Sequence, residues 1–329
     1  MPARAIVQED HFIESLDPGI RVHLREKHLR GKRRADPATT VLCLHGQSVP
    51  APVAYDLPVP GYSWLDWMAG RGFHVFALSI RGYGLSTRPP ETSAPPGNVP
   101  PASRGFIAQR DIEAAVRFIR RRLGVEQMNL LGWSWGTTTS ATYTANNGHT
   151  VRRLALYAPF YAYLDPEAAA RAEDPKRPGR WNPRNGAWRY VTEAGQRERW
   201  DGSIPKGEHK KWREERVVRR WWKEQLRYDP QGRKRRPPSV RVPNGAMADA
   251  YDRAKGKAPY DAADIACPVL LIRGDHDRSS RDAHGATLFN ALKNSRGKRY
   301  VILGGATHFA QYEWCRETLF REVQLFLEG

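Results

Sequence analysis

Six short apolar runs, separated by stretches that look helical, constrain the fold of this chain more than any other feature. The runs cover residues 41–44, 73–78, 128–131, 154–157, 269–272 and 300–303, and none alternates regularly with polar residues. Runs of this kind are typical of strands buried on both faces of a parallel sheet. Helical patterns cover residues 63–71, 106–123 and 309–327. The alternation predicts an α/β fold with a mostly parallel sheet flanked by helices.

The N-terminal segment has a different pattern. A turn signal at residues 17–19 (DPG) is followed by Ile20, Val22 and Leu24, which fall on one face of a strand. This pattern predicts an antiparallel hairpin at an edge of the sheet. Residues 32–37 are polar and residues 89–101 are rich in proline, so both are predicted to form loops.

One long segment, residues 160–262, interrupts the strand and helix alternation. It contains 25 Lys and Arg, 15 Asp and Glu and six of the eleven tryptophans, and it has no buried-strand run. We predict that this segment, called the insertion below, is a mainly helical cap over the carboxyl edge of the sheet. The predicted division is a first core part at residues 1–159, the cap at 160–262 and a second core part at 263–329.

The strongest chemical signal is the G-x-S-x-G pattern at residues 132–136 (GWSWG), which directly follows a buried run and precedes a helix-like stretch. A nucleophilic serine must sit on a very tight strand-to-helix turn, and small residues two positions away let the strand and helix approach each other. The turn exposes the hydroxyl above the sheet. The pattern therefore predicts Ser134 as a nucleophile.

With this elbow the chain resembles the α/β-hydrolase superfamily over nearly its whole length outside the insertion. The resemblance implies the order nucleophile, acid, histidine. His308, in the loop after the last predicted strand, matches the superfamily's catalytic histidine, which activates the serine as a base. Asp275 and Asp277 both follow the fifth run. The superfamily's spacing favours Asp277 as the orienting acid, whereas Asp275 matches a position often held by a structural acid.

The resemblance also implies an oxyanion hole, in which backbone N–H groups stabilise the negative oxygen of a tetrahedral intermediate. One donor is expected from Trp135, the residue after the nucleophile. The other is expected from Gln47, in the loop opened by His45 after the first buried run, where the histidine itself is usually structural. This chemistry requires no cofactor and no metal.

The bond and the substrate are less constrained than the nucleophile. We favour a serine carboxylic-ester hydrolase acting through an acyl-enzyme on a small or aromatic ester. The elbow also resembles that of proline iminopeptidases, but the loop at residues 45–49 (HGQSV) departs from theirs and the insertion is basic. Hydrolysis of an amide or a C–C bond on the same fold is another alternative, and a non-catalytic ligand-binding protein is one of a different class.

The charge of the insertion leaves two alternatives open. Arginines can bind carboxylates in bidentate fashion, so the substrate could be anionic, such as a monoalkyl phthalate. Alternatively, these arginines are a solvated surface and the substrate is neutral.

Composition limits the other partners. The net charge of +18 and the pI of about 10.1 favour anionic partners, but the basic run at residues 233–236 (RKRR) precedes two prolines and is predicted to be a solvated loop. We therefore expect no specific nucleic acid as a partner. The three cysteines are far apart, residues 1–10 lack the apolar core of a signal peptide, and no run is long enough to span a membrane. These features predict a cytoplasmic protein that does not act in a membrane, and they leave its oligomeric state undetermined.

Overall fold

The computed structural model describes residues 5–31, 35–95, 97 and 99–329. A central sheet of eight strands dominates this part of the chain, with strand order β1-β2-β4-β3-β5-β6-β11-β12. The strands are β1 (Ile6–Glu14), β2 (Arg21–Leu29), β3 (Thr40–Leu44), β4 (His74–Ser79), β5 (Met128–Trp133), β6 (Val151–Tyr157), β7 (Glu173–Asp174), β8 (Arg177–Trp181), β9 (Trp188–Thr192), β10 (Ser239–Pro243), β11 (Val269–Gly274) and β12 (Lys298–Leu303).

The sheet has the predicted mixture of directions. Strands β4, β3, β5, β6, β11 and β12 pair in parallel, whereas β1 and β2 pair antiparallel with each other and β2 pairs antiparallel with β4. Each of the six apolar runs coincides with one of the six parallel strands. The N-terminal hairpin is confirmed at the edge, and Ile20, Val22 and Leu24 are buried there.

Helices cover the sheet on both faces. They are α1 (Ala51–Tyr55), α2 (Trp64–Gly70), α3 (Gly105–Leu123), α4 (Trp135–Asn147), α5 (Pro166–Ala170), α6 (Glu193–Asp201), α7 (His209–Trp212), α8 (Glu215–Arg227), α9 (Gly245–Ala254), α10 (Asp282–Ala291) and α11 (Arg316–Glu328). Strand β3 shows why both faces need cover: Val41 and Cys43 belong to one apolar cluster, Leu42 and Leu44 to another, and all four are fully buried.

Two helix predictions can be compared with the structure in detail. Helix α2 begins where expected, because the Ser63 side chain accepts a hydrogen bond from Asp66 N at 2.9 Å and caps the helix. The last helix was predicted to start near residue 309, which is wrong: α11 begins at Arg316. The intervening residues instead form a short 3₁₀ turn at Ala310–Tyr312, and Glu313 turns its side chain back to bond Thr307.

The insertion contains strands that its sequence does not predict. Besides helices α5 to α9, it forms two small antiparallel sheets, β7 with β8 and β9 with β10. The prediction of a solvated loop for the basic run at residues 233–236 is also wrong in part. Gly232–Lys234 form a 3₁₀ turn, and Arg235 pairs with Asp229 at 2.8 Å while lying over the ring of Tyr190.

Some predictions concern segments that the structure covers only in part. Of the loops predicted at 32–37 and 89–101, residues 32–34, 96 and 98 lie outside the described residues, as do residues 1–4 of the N-terminus. A short 3₁₀ turn forms at Pro90–Thr92. Within the described ranges, no helix is both long enough and apolar enough to cross a membrane.

Candidate active site

Ser134 lies on a sharp turn between strand β5 and helix α4, at the carboxyl edge of the sheet. Its backbone angles, φ 58° and ψ −120°, fall in a region that is strained for a residue with a side chain. A Cβ on Gly132 would lie 2.4 Å from the Gly136 carbonyl oxygen, and one on Gly136 would lie 2.1 Å from that of Leu44. Both positions require glycine because β5, α4 and β3 leave no room for a methyl group.

Hydrogen bonds join the three side chains that the sequence singled out. Ser134 Oγ is 2.9 Å from His308 Nε2, and His308 Nδ1 is 2.8 Å from Asp277 Oδ2. At most 3% of any of these residues is exposed. Because a carboxylate can only accept, Nδ1 carries the imidazole proton, and Nε2 is left to accept the proton of the serine hydroxyl. Such an arrangement can activate a hydroxyl for attack on an electrophilic carbon.

The two aspartates that follow strand β11 have different partners. Asp277 bonds His308, and its other oxygen accepts hydrogen bonds from the amides of Ser279 and Ser280, at 2.8 and 2.7 Å. Asp275 instead accepts from the backbone N–H groups of residues 305 and 306, both at 3.1 Å. Asp277 therefore contacts the imidazole, while Asp275 holds the loop that leads to it.

The loop after strand β3 packs directly against the elbow. A Cβ on Gly46 would lie 3.0 Å from Ser134 Cβ. His45 fixes this loop, because its Nδ1–H donates to Gly46 O at 2.7 Å and its Nε2 accepts from Ile80 N at 3.1 Å. Burial lowers the pKa of His45 to about 4, so the ring is neutral and both bonds persist at neutral pH. Gln47 follows at once and is only partly buried.

Trp135 is the other predicted donor, and it occupies the first position of helix α4. The N–H groups of the first helical turn have no acceptor within the helix, and the helix dipole places partial positive charge there. Its indole is engaged elsewhere, since Nε1 donates to Asp249 Oδ2 at 2.9 Å. The backbone amide next to Ser134 is thus a donor at the elbow.

Several residues that support His308 were not predicted from the sequence. The carbonyl oxygen of His308 accepts hydrogen bonds from Tyr157 Oη at 3.0 Å and from Trp133 Nε1 at 3.1 Å. Glu313 accepts from both the amide and the hydroxyl of Thr307, at 3.0 and 2.6 Å. No motif marks Tyr157 or Glu313, and Trp133 was visible only as a variable position of the elbow.

Glu313 also connects the histidine loop to the insertion. Trp200, in helix α6, donates from Nε1 to Glu313 Oε1 at 2.7 Å, and its ring stacks on Phe309 with centroids 5.1 Å apart. Burial raises the pKa of Glu313 above its ordinary value of 4.5 and outweighs these hydrogen bonds. The insertion therefore covers the residue next to His308 through a buried tryptophan.

A cavity of about 990 Å³ opens beside Asp277, between the core and the insertion. Residues of both parts line it, including Phe160, Tyr163, Ser203, Arg253, Asp277 and His284. The Phe160 ring lies 6.0 Å from that of His308, centroid to centroid. Phe160 therefore borders both the cavity and the buried histidine. Ser134 and His308 do not line the cavity themselves, and Asp277 is the member of the hydrogen-bonded chain that does. The cavity offers space for a small molecule beside the site.

Among the described residues, the groups of histidine and carboxylate side chains that could share a metal ion lie at the sheet edge, on β1, β2 and β4. They are Glu26 with His28 and His74, and Glu26 with Glu9 and His11. Glu26 already accepts from His11 at 2.6 Å and from Arg122 at 2.8 Å, so this cluster is an ion-pair network, separate from Ser134.

A mostly parallel sheet with a serine on a strand-to-helix elbow, facing a histidine and an acid from later loops, defines a class of protein. The family model that describes the alpha/beta hydrolase fold matches residues 40–313. The chain therefore belongs to the alpha/beta hydrolase family. No curated protein matches it.

Solved structures with the same fold include several hydrolases. E-2-(acetamidomethylene)succinate hydrolase has 20% identity and a TM-score of 0.62, over 97% of this chain and 100% of that one. A thermophilic esterase from Thermogutta terrifontis with malate bound has 16% identity and a TM-score of 0.58, over 97% and 98%. The 2-hydroxy-6-oxo-6-phenylhexa-2,4-dienoate hydrolase of Rhodococcus sp. strain RHA1 has 16% identity and a TM-score of 0.60, over 99% and 100%. At these identities the similarity shows a shared fold.

Proposed function

We propose that this protein is a serine hydrolase that cleaves carboxylic esters through an acyl-enzyme, with Ser134 as nucleophile, His308 as base and Asp277 as the acid that orients it. The observation that carries the proposal is the unbroken hydrogen-bonded chain from Ser134 Oγ through both nitrogens of His308 to Asp277. A ligand-binding protein without catalysis would not require this chain, and it would not require the strained elbow that presents the hydroxyl.

The proposed cycle follows from the geometry. His308 Nε2 takes the hydroxyl proton as Ser134 Oγ attacks the ester carbonyl carbon, and Asp277 stabilises the imidazolium that forms. The backbone N–H groups of Trp135 and Gln47 stabilise the oxyanion. His308 then gives its proton to the leaving alcohol, and the ester becomes an acyl group on Ser134. Water, deprotonated by His308, releases the acid and restores the serine.

We propose a small or aromatic ester as the substrate. Aromatic rings surround the histidine: the centroids of Trp133, Phe160 and Phe309 lie 5.5 to 6.0 Å from that of His308. Of these rings, Phe160 lines the cavity and suits an apolar or aromatic acyl group. The positive insertion suits a monoester of a dicarboxylic acid, such as a monoalkyl phthalate. The structurally similar proteins include an esterase, an enol-lactonase and a dienoate hydrolase, so the fold alone does not decide the bond.

Labelling with a fluorophosphonate probe tests the nucleophile. The wild-type protein should be labelled at Ser134, as located by peptide mass spectrometry, and should hydrolyse p-nitrophenyl acetate with a burst of p-nitrophenol. The Ser134→Ala variant should be unlabelled and inactive while it unfolds at a similar temperature. Labelling at another residue, or equal turnover by both proteins, would refute the proposal.

A panel of substrates tests the bond and the charge. We expect monoethyl phthalate to be hydrolysed with a higher kcat/KM than diethyl phthalate, and matched amides and C–C substrates to react far more slowly than esters. Preference for the diester would contradict an anionic substrate. Faster cleavage of prolyl amides would favour a peptidase, and faster cleavage of a vinylogous diketone would favour a C–C hydrolase.

A further inference from the structure

Arg253 is one of the enclosed arginines of the insertion that have no carboxylate partner among the described residues. Several others form ion pairs, for example Arg197 with Glu215 at 2.8 Å and Arg213 with Asp201 at 2.6 Å. Arg199 shares the lack of an ion pair and also has a pKa lowered to about 10 by burial, but it does not line the cavity beside Asp277. Arg253 is only 6% exposed, yet among the described residues no carboxylate lies within 4.0 Å of its guanidinium, and its Nε has no hydrogen-bond partner.

The acids nearest to Arg253 are already occupied by other groups. Asp249 pairs with Arg104 Nε at 2.6 Å and also accepts from the Gly105 amide and the Trp135 indole, at 2.8 and 2.9 Å. Asp252 pairs with the same Arg104, at 2.6 Å. Neither is in ion-pair contact with Arg253.

Arg253 is therefore a buried cation whose charge is only partly compensated by nearby acids. Burial lowers the pKa of Arg253 to about 10, and the charge of Asp249 offsets this only in part. The guanidinium is still protonated at neutral pH. A buried charge that lacks a partner is unfavourable, and a carboxylate placed against it would be stabilised by a charge-assisted hydrogen bond.

Two contacts of Arg253 place it near Ser134. Its Cζ lies 5.0 Å from the centroid of the Phe160 ring, the ring that borders both the cavity of about 990 Å³ and His308. Its Nη1 lies 3.5 Å from Thr138 Oγ1. Thr138 follows Ser134 by four residues of helix α4, which is about 6 Å along a helix axis.

The acids that line the cavity do not pair with Arg253, and other arginines, among them Arg171, Arg273 and Arg278, line it as well. Asp277 bonds His308 and two backbone amides, and Asp165 is paired with Arg281. Arg253 also borders a smaller cavity of about 230 Å³, which is lined by Asp249 and Asp252 but also by Arg104 and Lys257. The larger cavity contains Asp277, the partner of His308, so it is the side on which Arg253 and the site of Ser134 come together.

We propose that Arg253 binds a carboxylate of the substrate and so selects esters whose acyl part carries a negative charge several ångströms from the scissile carbonyl. This inference rests on the proposed ester hydrolysis at Ser134, and it names the specificity residue of that site. It predicts the class of substrate as monoesters of dicarboxylic acids with an intermediate chain or an aromatic spacer.

Two chromogenic esters that differ in charge alone provide the test. Mono-p-nitrophenyl adipate and p-nitrophenyl hexanoate share the leaving group and the length of the acyl chain. For Arg253→Gln we expect kcat/KM to fall about 10- to 100-fold on the adipate, as for loss of a hydrogen bond between charged groups, and to change less than about twofold on the hexanoate. Arg253→Lys, which keeps the charge but loses the planar fork, should retain part of the preference.

Matched controls separate specificity from folding. Arg180→Gln removes an exposed arginine of the insertion that does not line this cavity, and it should leave the ratio of the two rates unchanged. If Arg253 were merely structural, its replacement would lower both rates together and lower the melting temperature. The proposal instead expects a melting temperature that is unchanged or higher, because a buried unpaired charge has been removed.

Binding of adipate, the product, keeps this inference separate from the proposed function. Adipate should raise the melting temperature of the wild-type protein and not that of Arg253→Gln. If the wild type neither hydrolyses esters nor reacts with a fluorophosphonate, but adipate binding still depends on Arg253, then the anion site stands and ester hydrolysis fails. Equal binding of adipate by wild type and variant, or equal loss of rate on both esters, would overturn the role of Arg253.

Discussion

The buried polar side chains of His308 and Asp277 have hydrogen-bond partners at every nitrogen and oxygen, whereas the buried cation Arg253, in the wall of the cavity, has no carboxylate partner in the part of the chain that the structure describes. Both nitrogens of His308 are hydrogen-bonded, both oxygens of Asp277 accept hydrogen bonds, and even the carbonyl of His308 has two donors. Arg253 is equally enclosed by protein, yet it has no acidic partner within the described chain.

The difference separates two tasks. Groups that must keep a fixed geometry through every turnover are held by the core sheet and its loops, whatever ligand is present. The group that distinguishes one ligand from another comes from the insertion and gains its partner only when the ligand arrives. The largest changes in rate are therefore expected at the sheet, and the changes in selectivity at the insertion.

Removal of the proposed base should have the largest effect on activity of any change in the region around His308. His308→Ala should lower kcat on p-nitrophenyl esters by about 10⁴- to 10⁶-fold, because the groups of such a unit act together. Adding Ser134→Ala should cause little further loss for the same reason. Steady-state rates of the two single variants and the double variant measure this, and additive losses would show that the residues do not act as a unit.

The two aspartates allow a matched comparison within the same loop. Asp277→Asn should lower kcat about 10⁴-fold, because an amide would favour the wrong imidazole tautomer. Asp275→Asn should lower it far less, since Asp275 accepts from two backbone amides at 3.1 Å and lies 4.0 Å from His276 Nε2, without contact to His308. Comparison of kcat for both variants gives the answer, and a larger effect at Asp275 would reverse our assignment of the acid.

Contact between the insertion and the core can be broken at Trp200, which is fully buried. Trp200→Ala should lower the free energy of unfolding by about 3–5 kcal/mol, as large-to-small changes in a core do. Urea unfolding provides the measurement. Trp314→Ala serves as the comparison: this tryptophan also bonds the insertion, through Nε1 to Lys210 O at 3.1 Å, but it is 50% exposed and should matter less. Similar losses for both variants would mean that Trp200 does not anchor the insertion.

The smallest expected effect concerns the pH dependence of stability at Glu313. Its pKa is raised by burial, so the folded protein binds this proton more tightly than the unfolded chain does. The resulting stabilisation is complete below the ordinary pKa of about 4.5 and is lost as the pH rises through the raised value.

Glu313→Gln should therefore remove a component of stability that declines with increasing pH. We expect the unfolding free energy of the wild type, minus that of Glu313→Gln, to fall as the pH rises above about 4.5. Urea unfolding at a series of pH values measures it. A difference that stays constant with pH would show that Glu313 does not titrate in this range.

The sequence was sufficient for the features that depend on local pattern. Buried parallel strands must be apolar on both faces, so β3 and β5 could be recognised directly. The elbow could be recognised too, because close packing requires glycine at positions 132 and 136. The short strands β9 and β10 lacked such a signal. Only one residue of β9 is buried, and the buried residues of β10 are interrupted by Arg241. The two strands also pair across about fifty residues of chain.

Other features depended on contacts between distant parts of the chain. The superfamily's spacing favours Asp277 over Asp275, but the contact with His308 that separates them becomes visible only in the fold. The start of α11 could not be predicted because Glu313 turns back to Thr307. The sequence also does not show that Arg253 lacks an ion-pair partner. Its neighbour Asp249 pairs with Arg104, which precedes Asp249 by 145 residues.

The backbone of Ser134 sets thermal endurance against activity. A positive φ of 58° is tolerated by glycine and is unfavourable by about 1–3 kcal/mol for other residues. Ser134→Gly would therefore relieve this backbone strain and at the same time remove the proposed nucleophile. A thermally tougher protein and an active one thus make opposite demands on the residue at position 134.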